Sequence, residues 1–174
     1  MSGTTGNRSY PYPQLTDTVD VPGDIQALAD ALDTDVQDIL DNYLKGESSP
    51  ITSNTATWTS SESGALVSVT FNLVSGITYA ISSFLAVNGG AGDVDFMRIR
   101  EDTSSGNQIQ GQNLFIGSVA GSGYPSIMYV EYTAVSTASK TFVLTGNRLV
   151  GSTAHQGQVA TNRPGYLTIT PLLR

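Results

Sequence analysis

From Thr55 onward the chain alternates apolar and polar residues at period two, and turn residues interrupt it about every 8–12 positions. A segment patterned this way buries one face only as a half-covered β-strand. The clearest runs are LVSVTFNL from Leu66, YAISSFLAV from Tyr79 and FVLTGNRLV from Phe142. Turns are expected at Ser75-Gly76, at Asn88 to Gly92, at Ser104 to Asn107, at Gly121 to Gly123 and at Gly146-Asn147. The pattern predicts strands over 55–60, 65–73, 78–87, 94–100, 113–119, 127–133, 140–147 and 166–171. Eight strands in so short a span predict a mainly β fold, a jelly-roll-like β-sandwich over residues 55–174.

Ahead of this body stands one helical pattern, VPGDIQALADALDTDVQDILDNYLKG, over residues 21–46. Pro22 suits a first helical turn, and Asp20 and Asp24 complement the positive end of the helix dipole. Lys45 and Gly46 mark its predicted end. Ile25, Ala29, Leu32, Val36, Ile39 and Tyr43 recur at alternating spacings of 4 and 3, a heptad seam. A helix of this length is marginal alone in water, so its stripe must be covered. Two covers are open: the β body of the same chain, or the same helix from sister chains as a short coiled coil. The sustained heptad spacing and the linker-like segment 47–54 favour the second. The seam permits a trimer without fixing the number of strands.

Residues 1–20 read as an extended arm. Pro11 and Pro13 forbid a helix through them, and Tyr10 and Tyr12 are aromatic anchors suited to a partner surface. The charge is divided sharply. Residues 1–47 hold nine acids against Arg8 and Lys45, a net of −7, while residues 48–174 hold six acids against six cations. No basic stripe exists for nucleic acid. Charged residues make up only 13 % of the chain, and 20 Ser, 20 Thr and 18 Gly take their place, which suits a neutral, turn-rich β surface. No apolar run is long enough for a membrane span, and the opening residues lack the apolar centre of a signal peptide. The expectation is a protein made in a cytoplasm without secretion.

Chemistry-bearing motifs are sparse. With no cysteine, disulfides, thiolate zinc sites and thiol catalysis are excluded. His155 is the only histidine, so no histidine-based metal cluster forms, and no Gly-x-Ser-x-Gly nucleophile elbow is present. Asp93, Asp95, Glu101 and Asp102 bracket one strand, but their spacing matches no calcium loop and reads as turn acids. On that strand Arg98 and Arg100 share one face and Met97 and Ile99 the other. The arginines serve either as salt bridges between subunits or as a wet face. Trp58, the single tryptophan, reads as packing. These observations predict no catalytic residue, no metal and no cofactor.

The order of parts resembles virion structural proteins of actinobacterial tailed phages, the decoration, head-fibre or minor-tail type. The residues that carry the likeness are SYPYPQLTDTVDVPGDIQALADALDTDV in the front, and VSVTFNLVSGITYAISSFLAV, DFMRIRED and KTFVLTGNRLVGSTAHQGQVATNRPGYLTITPL in the body. In those proteins the second of these stretches is a turn-centred hairpin. The closing strand here, YLTITPLLR, keeps the alternation but lacks the family's acid.

The resemblance implies a homotrimeric, non-enzymatic fibre or decoration on the virion exterior. Tyr10, Pro11, Tyr12 and Pro13 would dock on the major capsid or tail protein, and the heptad stripe would join three chains. An alternative from a different class is a receptor- or glycan-binding fibre tip, whose contact loops would include Asn88, Asp93, Asn107 and His155. A depolymerase is a third reading, without a recognisable nucleophile behind it.

Overall fold

The computed structural model describes residues 3–4, 11–12, 21–39, 45–117, 123–159 and 164–172. The chain divides into two compact units, Met1–Lys45 and Gly46–Arg174.

In the front unit β1 (Gly3–Thr4) pairs antiparallel with β2 (Pro11–Tyr12), Gly3 opposite Tyr12. Helix α1 (Val21–Ile39) follows, with Asp24 in its first turn. Along it the Gln26 amide donates to Asp30 Oδ1 at 2.7 Å, an i,i+4 pair. Residues 40–44 lie outside the described residues, and Lys45 and Gly46, which the sequence marks as the helix end, are non-helical. Tyr10, Pro13 and Tyr43 lie outside the described residues.

The second unit contains β3 (Glu47–Ile51), β4 (Thr57–Trp58), β5 (Val67–Leu73), β6 (Thr78–Asn88), β7 (Val94–Glu101), β8 (Gln108–Phe115), β9 (Tyr124–Thr133), β10 (Ala138–Val150), β11 (His155–Gln158) and β12 (Gly165–Leu172). A four-stranded sheet runs β5-β10-β7-β8, and a six-stranded sheet is centred on β6. β9 occupies one edge of β6 over residues 78–87, so β12 and β11 share the other edge end to end, flanked by β3 and β4. All pairings are antiparallel. The result is a mainly β, jelly-roll-like sandwich in which the chain passes repeatedly from one sheet to the other.

The alternation sets the core. Val69, Phe71, Leu73, Met97, Ile99, Leu114, Phe142 and Leu144 from one sheet meet Ile51, Trp58, Tyr79, Ile81, Leu85, Val87, Met128, Leu167 and Ile169 from the other. Tyr79 is fully buried, and its hydroxyl accepts the backbone N–H of Val74 at 2.8 Å, so its polar tip is satisfied. Ser83 shares the inward parity of Tyr79, Ile81 and Leu85. Its buried hydroxyl has no hydrogen-bond partner.

Two expectations are corrected. The turn at Ser75-Gly76, with Gly76 at φ 83°, closes no hairpin. β5 pairs with β10, and β6 pairs with β9, β12 and β11. The turn lifts the chain across the sandwich, and each strand then aims its apolar face at the other sheet. The segment 47–54, read as a linker, contains β3. Pro50 disguised it, yet β3 lies at the sheet margin, where proline is tolerated.

Candidate functional site

The strongest polar constellation in the body is buried. Asp93 sits in the turn before β7 and Asp95 on β7, with the same inward parity as Met97 and Ile99. Opposite them, on the other sheet, His155 of β11 stands across from Trp58 of β4 in register. Asp95 Oδ1 accepts the Trp58 indole N–H at 2.9 Å, and Asp95 Oδ2 lies 2.8 Å from His155 Nδ1. His155 Nε2 lies 3.0 Å from Asp93 Oδ2, which also accepts the backbone N–H of Gly90 at 3.2 Å. The imidazole is 0 % exposed, and the Trp58 ring meets it edge-on at 6.5 Å. Each ring nitrogen thus faces its own carboxylate, and the chain of contacts ties the two sheets together.

Two glycines make room for it. A Cβ on Gly89 would lie 2.6 Å from the His155 ring. Gly151, at φ 111°, would place a Cβ 1.8 Å from Asp93 Oδ1. The carboxylates are driven in opposite directions. The hydrogen bond to His155 holds Asp93 below its ordinary carboxyl range, with the Gly90 N–H assisting. Burial pushes Asp95 upward, against the opposing hydrogen bonds from Trp58 and His155.

This placement corrects the expectation that Asp93 and His155 contact a host. Both are buried, because a charged or imidazole group at an inward position is held by partners across the sandwich. Asn88 is half-buried, and Asn107 is exposed. The sequence carried a signal for this cluster. Extending the inward parity of Met97 and Ile99 back two and four residues reaches Asp95 and Asp93. Buried acids there demand donors, which the single histidine and single tryptophan supply.

Among the described residues no group of three or more His, Cys, Asp or Glu is arranged to hold a metal ion, and no helix is long and apolar enough to cross a membrane.

A second polar group lies on the outer side of the four-stranded sheet. Glu62, in the loop before β5, bonds Arg98, the Thr145 hydroxyl, and the Nε of Arg100 at 3.2 Å. Arg98 also stands over the Phe96 ring at 4.1 Å. Within the chain, then, the two arginines clamp the 59–66 loop onto the sheet.

Two apolar surfaces remain. On α1 the heptad residues Ile25, Ala29, Leu32, Val36 and Ile39 are exposed, Ile25 at 63 % and Val36 at 52 %. On the outer face of the six-stranded sheet, one cross-strand row runs Ile127–Phe84–Tyr166–Pro50 and the next runs Tyr129–Ser82–Thr168–Ser48. Phe84 and Tyr166 stack with centroids 6.0 Å apart, and Ile127 and Tyr129 are exposed. Neither row contains a charged residue.

No family model matches the chain, and no curated protein matches it. Among solved structures it is similar to the VP2 subviral particle protein of infectious bursal disease virus (TM-score 0.46, 11 % identity, 72 % of this chain and 32 % of that one). It is also similar to a Bacillus endospore appendage protein that forms disulfide-linked pili (0.38, 17 %, 75 % and 88 %). A third similarity is to a family 4 carbohydrate-binding module (0.31, 10 %, 73 % and 84 %). The chain spans about a third of the length of the VP2 chain. At TM-scores this low, none of these likenesses bears on function.

Proposed function

We propose that this chain is a non-enzymatic structural protein of a tailed-phage virion, assembled as a homotrimer through α1 and displayed on the particle exterior. The observation that carries the reading is the heptad stripe: five apolar positions on one 19-residue helix, each of them exposed. A stripe of this spacing is stabilised by its own copies, which present the same knobs and holes. The likeness of the front segment to actinobacterial phage virion proteins supports the virion assignment. Burial of the single histidine supports a non-catalytic role.

In this reading the arm, with Tyr10, Pro11, Tyr12 and Pro13, docks on the major capsid or tail protein, and the sandwich projects outward. Light scattering of the purified full chain tests the assembly. A mass three times that of the 18.3 kDa chain is expected, and a stable monomer at micromolar concentration overturns the trimer. Deleting residues 1–20 is expected to abolish particle binding while the β signal in circular dichroism persists.

One observation favours a second reading, a glycan-binding fibre tip. The outer face of the six-stranded sheet combines Tyr129, Tyr166 and Phe84 with the hydroxyls of Ser82, Thr168 and Ser48, and the Tyr129 hydroxyl donates to Glu131 on the same face at 3.2 Å. Aromatic faces and neutral hydroxyls suit sugar rings. This reading moves the contact surface from the loops to the sheet. Retention on a glycan array that is lost in Tyr129→Ala and Tyr166→Ala, and kept without residues 1–20, would favour it over docking alone.

A further inference from the structure

The buried cluster has a proton requirement that its geometry imposes. The contacts Asp95 Oδ2···His155 Nδ1 and Asp93 Oδ2···His155 Nε2, at 2.8 and 3.0 Å, are each a hydrogen bond only if one proton lies between the atoms. Two protons must therefore be shared among one imidazole and two carboxyls. One arrangement places both on the ring, between two carboxylates. The other places one on Asp95 and one on Nε2. The two arrangements differ in the position of one proton, between Asp95 Oδ2 and His155 Nδ1. Removing a proton leaves a nitrogen lone pair facing a carboxylate between buried groups. Adding one neutralises Asp93, whose carboxylate form is what His155 and the Gly90 N–H hold.

We propose that Asp93, His155 and Asp95 form a proton-counting latch between the two sheets, closed while the three groups share two protons and loosened when a proton is added or removed. The groups facing the latch cannot substitute for a missing proton. From β4 comes the Trp58 indole, a donor already committed to Asp95. The 89–92 turn contributes the Gly90 N–H, and the 151–154 turn a backbone bond from Thr153 to Asp93. Arg148, opposite Asp95 in the β7–β10 register, donates to the Thr153 carbonyl. Among the described residues, His155 is the one titratable side chain that bonds either carboxyl. The latch closes the end of the sandwich where β4 and β11 extend the six-stranded sheet beyond β3 and β12. Opening it would release that end while the remainder of the core stayed packed.

Asp95→Asn discriminates a latch from ordinary packing. The asparagine oxygen still accepts from Trp58, and its amide donates permanently to His155 Nδ1, so one of the two contacts no longer depends on a bound proton. Thermal unfolding of the full chain from about pH 3 to about pH 9 is expected to give a dome for the wild type. In Asp95→Asn the alkaline side should flatten and the acid side persist. His155→Gln should lower the midpoint by about 5 °C or more near the top of the dome. Proton NMR supplies a reading that does not require His155→Gln to fold. Two slowly exchanging low-field resonances are expected in the wild type, and the one from the Asp95 contact should be lost in Asp95→Asn. Wild-type and Asp95→Asn curves that run parallel across the whole range, or fewer than two such resonances, would overturn the latch.

Discussion

At Ser83 a hydroxyl on an inward position of β6 is buried without a partner, surrounded by the residues that make the core. Leaving it unbonded costs about 1–3 kcal/mol of desolvation, and an alanine methyl carries no such cost. Ser83→Ala should therefore leave stability unchanged or raise it, by about 1 kcal/mol, read from the midpoint of urea unfolding. Gly151→Ala should act the other way. Its φ of 111° strains any side chain, and the new Cβ would collide with Asp93, so a loss of about 2 kcal/mol or more is expected. Asp93 gives a pH prediction. Its carboxyl titrates lower in the fold than in the unfolded chain, where the ordinary value is 3.8. Its contribution is therefore present above that value and lost as pH falls below it. The stability gap between wild type and Asp93→Asn should close as pH falls below about 4.

Elements show where local pattern and tertiary context part. The strands whose inward residues are apolar were legible. β5, β6 and β7 follow their alternation, with ends moved by a few residues, whereas β10 runs through the turn expected at Gly146-Asn147. β3, with sequence ESSPI, and β11, with sequence HQGQ, were not. β11 contains no apolar side chain, so nothing in its own sequence marks it as a strand. It is one because β6 and β4 offer it a ladder and because Asp93 and Asp95 hold His155 inward. At the same scale, α1 makes a test of the assembly. Val36→Asp places a charge at the centre of the heptad stripe and, if the proposed trimer forms through it, should leave a monomer in sedimentation. The helical signal should fall while the β signal remains, since a lone helix of 19 residues is marginal in water.

For the whole molecule, the charge division matters most. All of the net charge of −7 lies in residues 1–47, and residues 48–174, which hold all of the sandwich but its first strand residue, sum to zero. Raising salt should screen repulsion between acidic helices brought together and strengthen the trimer, while leaving the unfolding of the neutral body almost unmoved. A chain of residues 46–174 retains the whole described core and should fold as a monomer, with a thermal midpoint close to that of the same unit in the intact protein.

The sequence by itself determined the class of fold and the order of its parts. Period-two alternation allows one buried face per strand, and a heptad stripe allows one helix face. Both are local constraints written into neighbouring residues. Only the tertiary structure decided which strands pair, that the Ser75-Gly76 turn crosses between sheets, and that His155 lies between two aspartates in the core. Those contacts join residues about 37 to 62 positions apart, and no short-range period can encode which distant donor satisfies a buried acid.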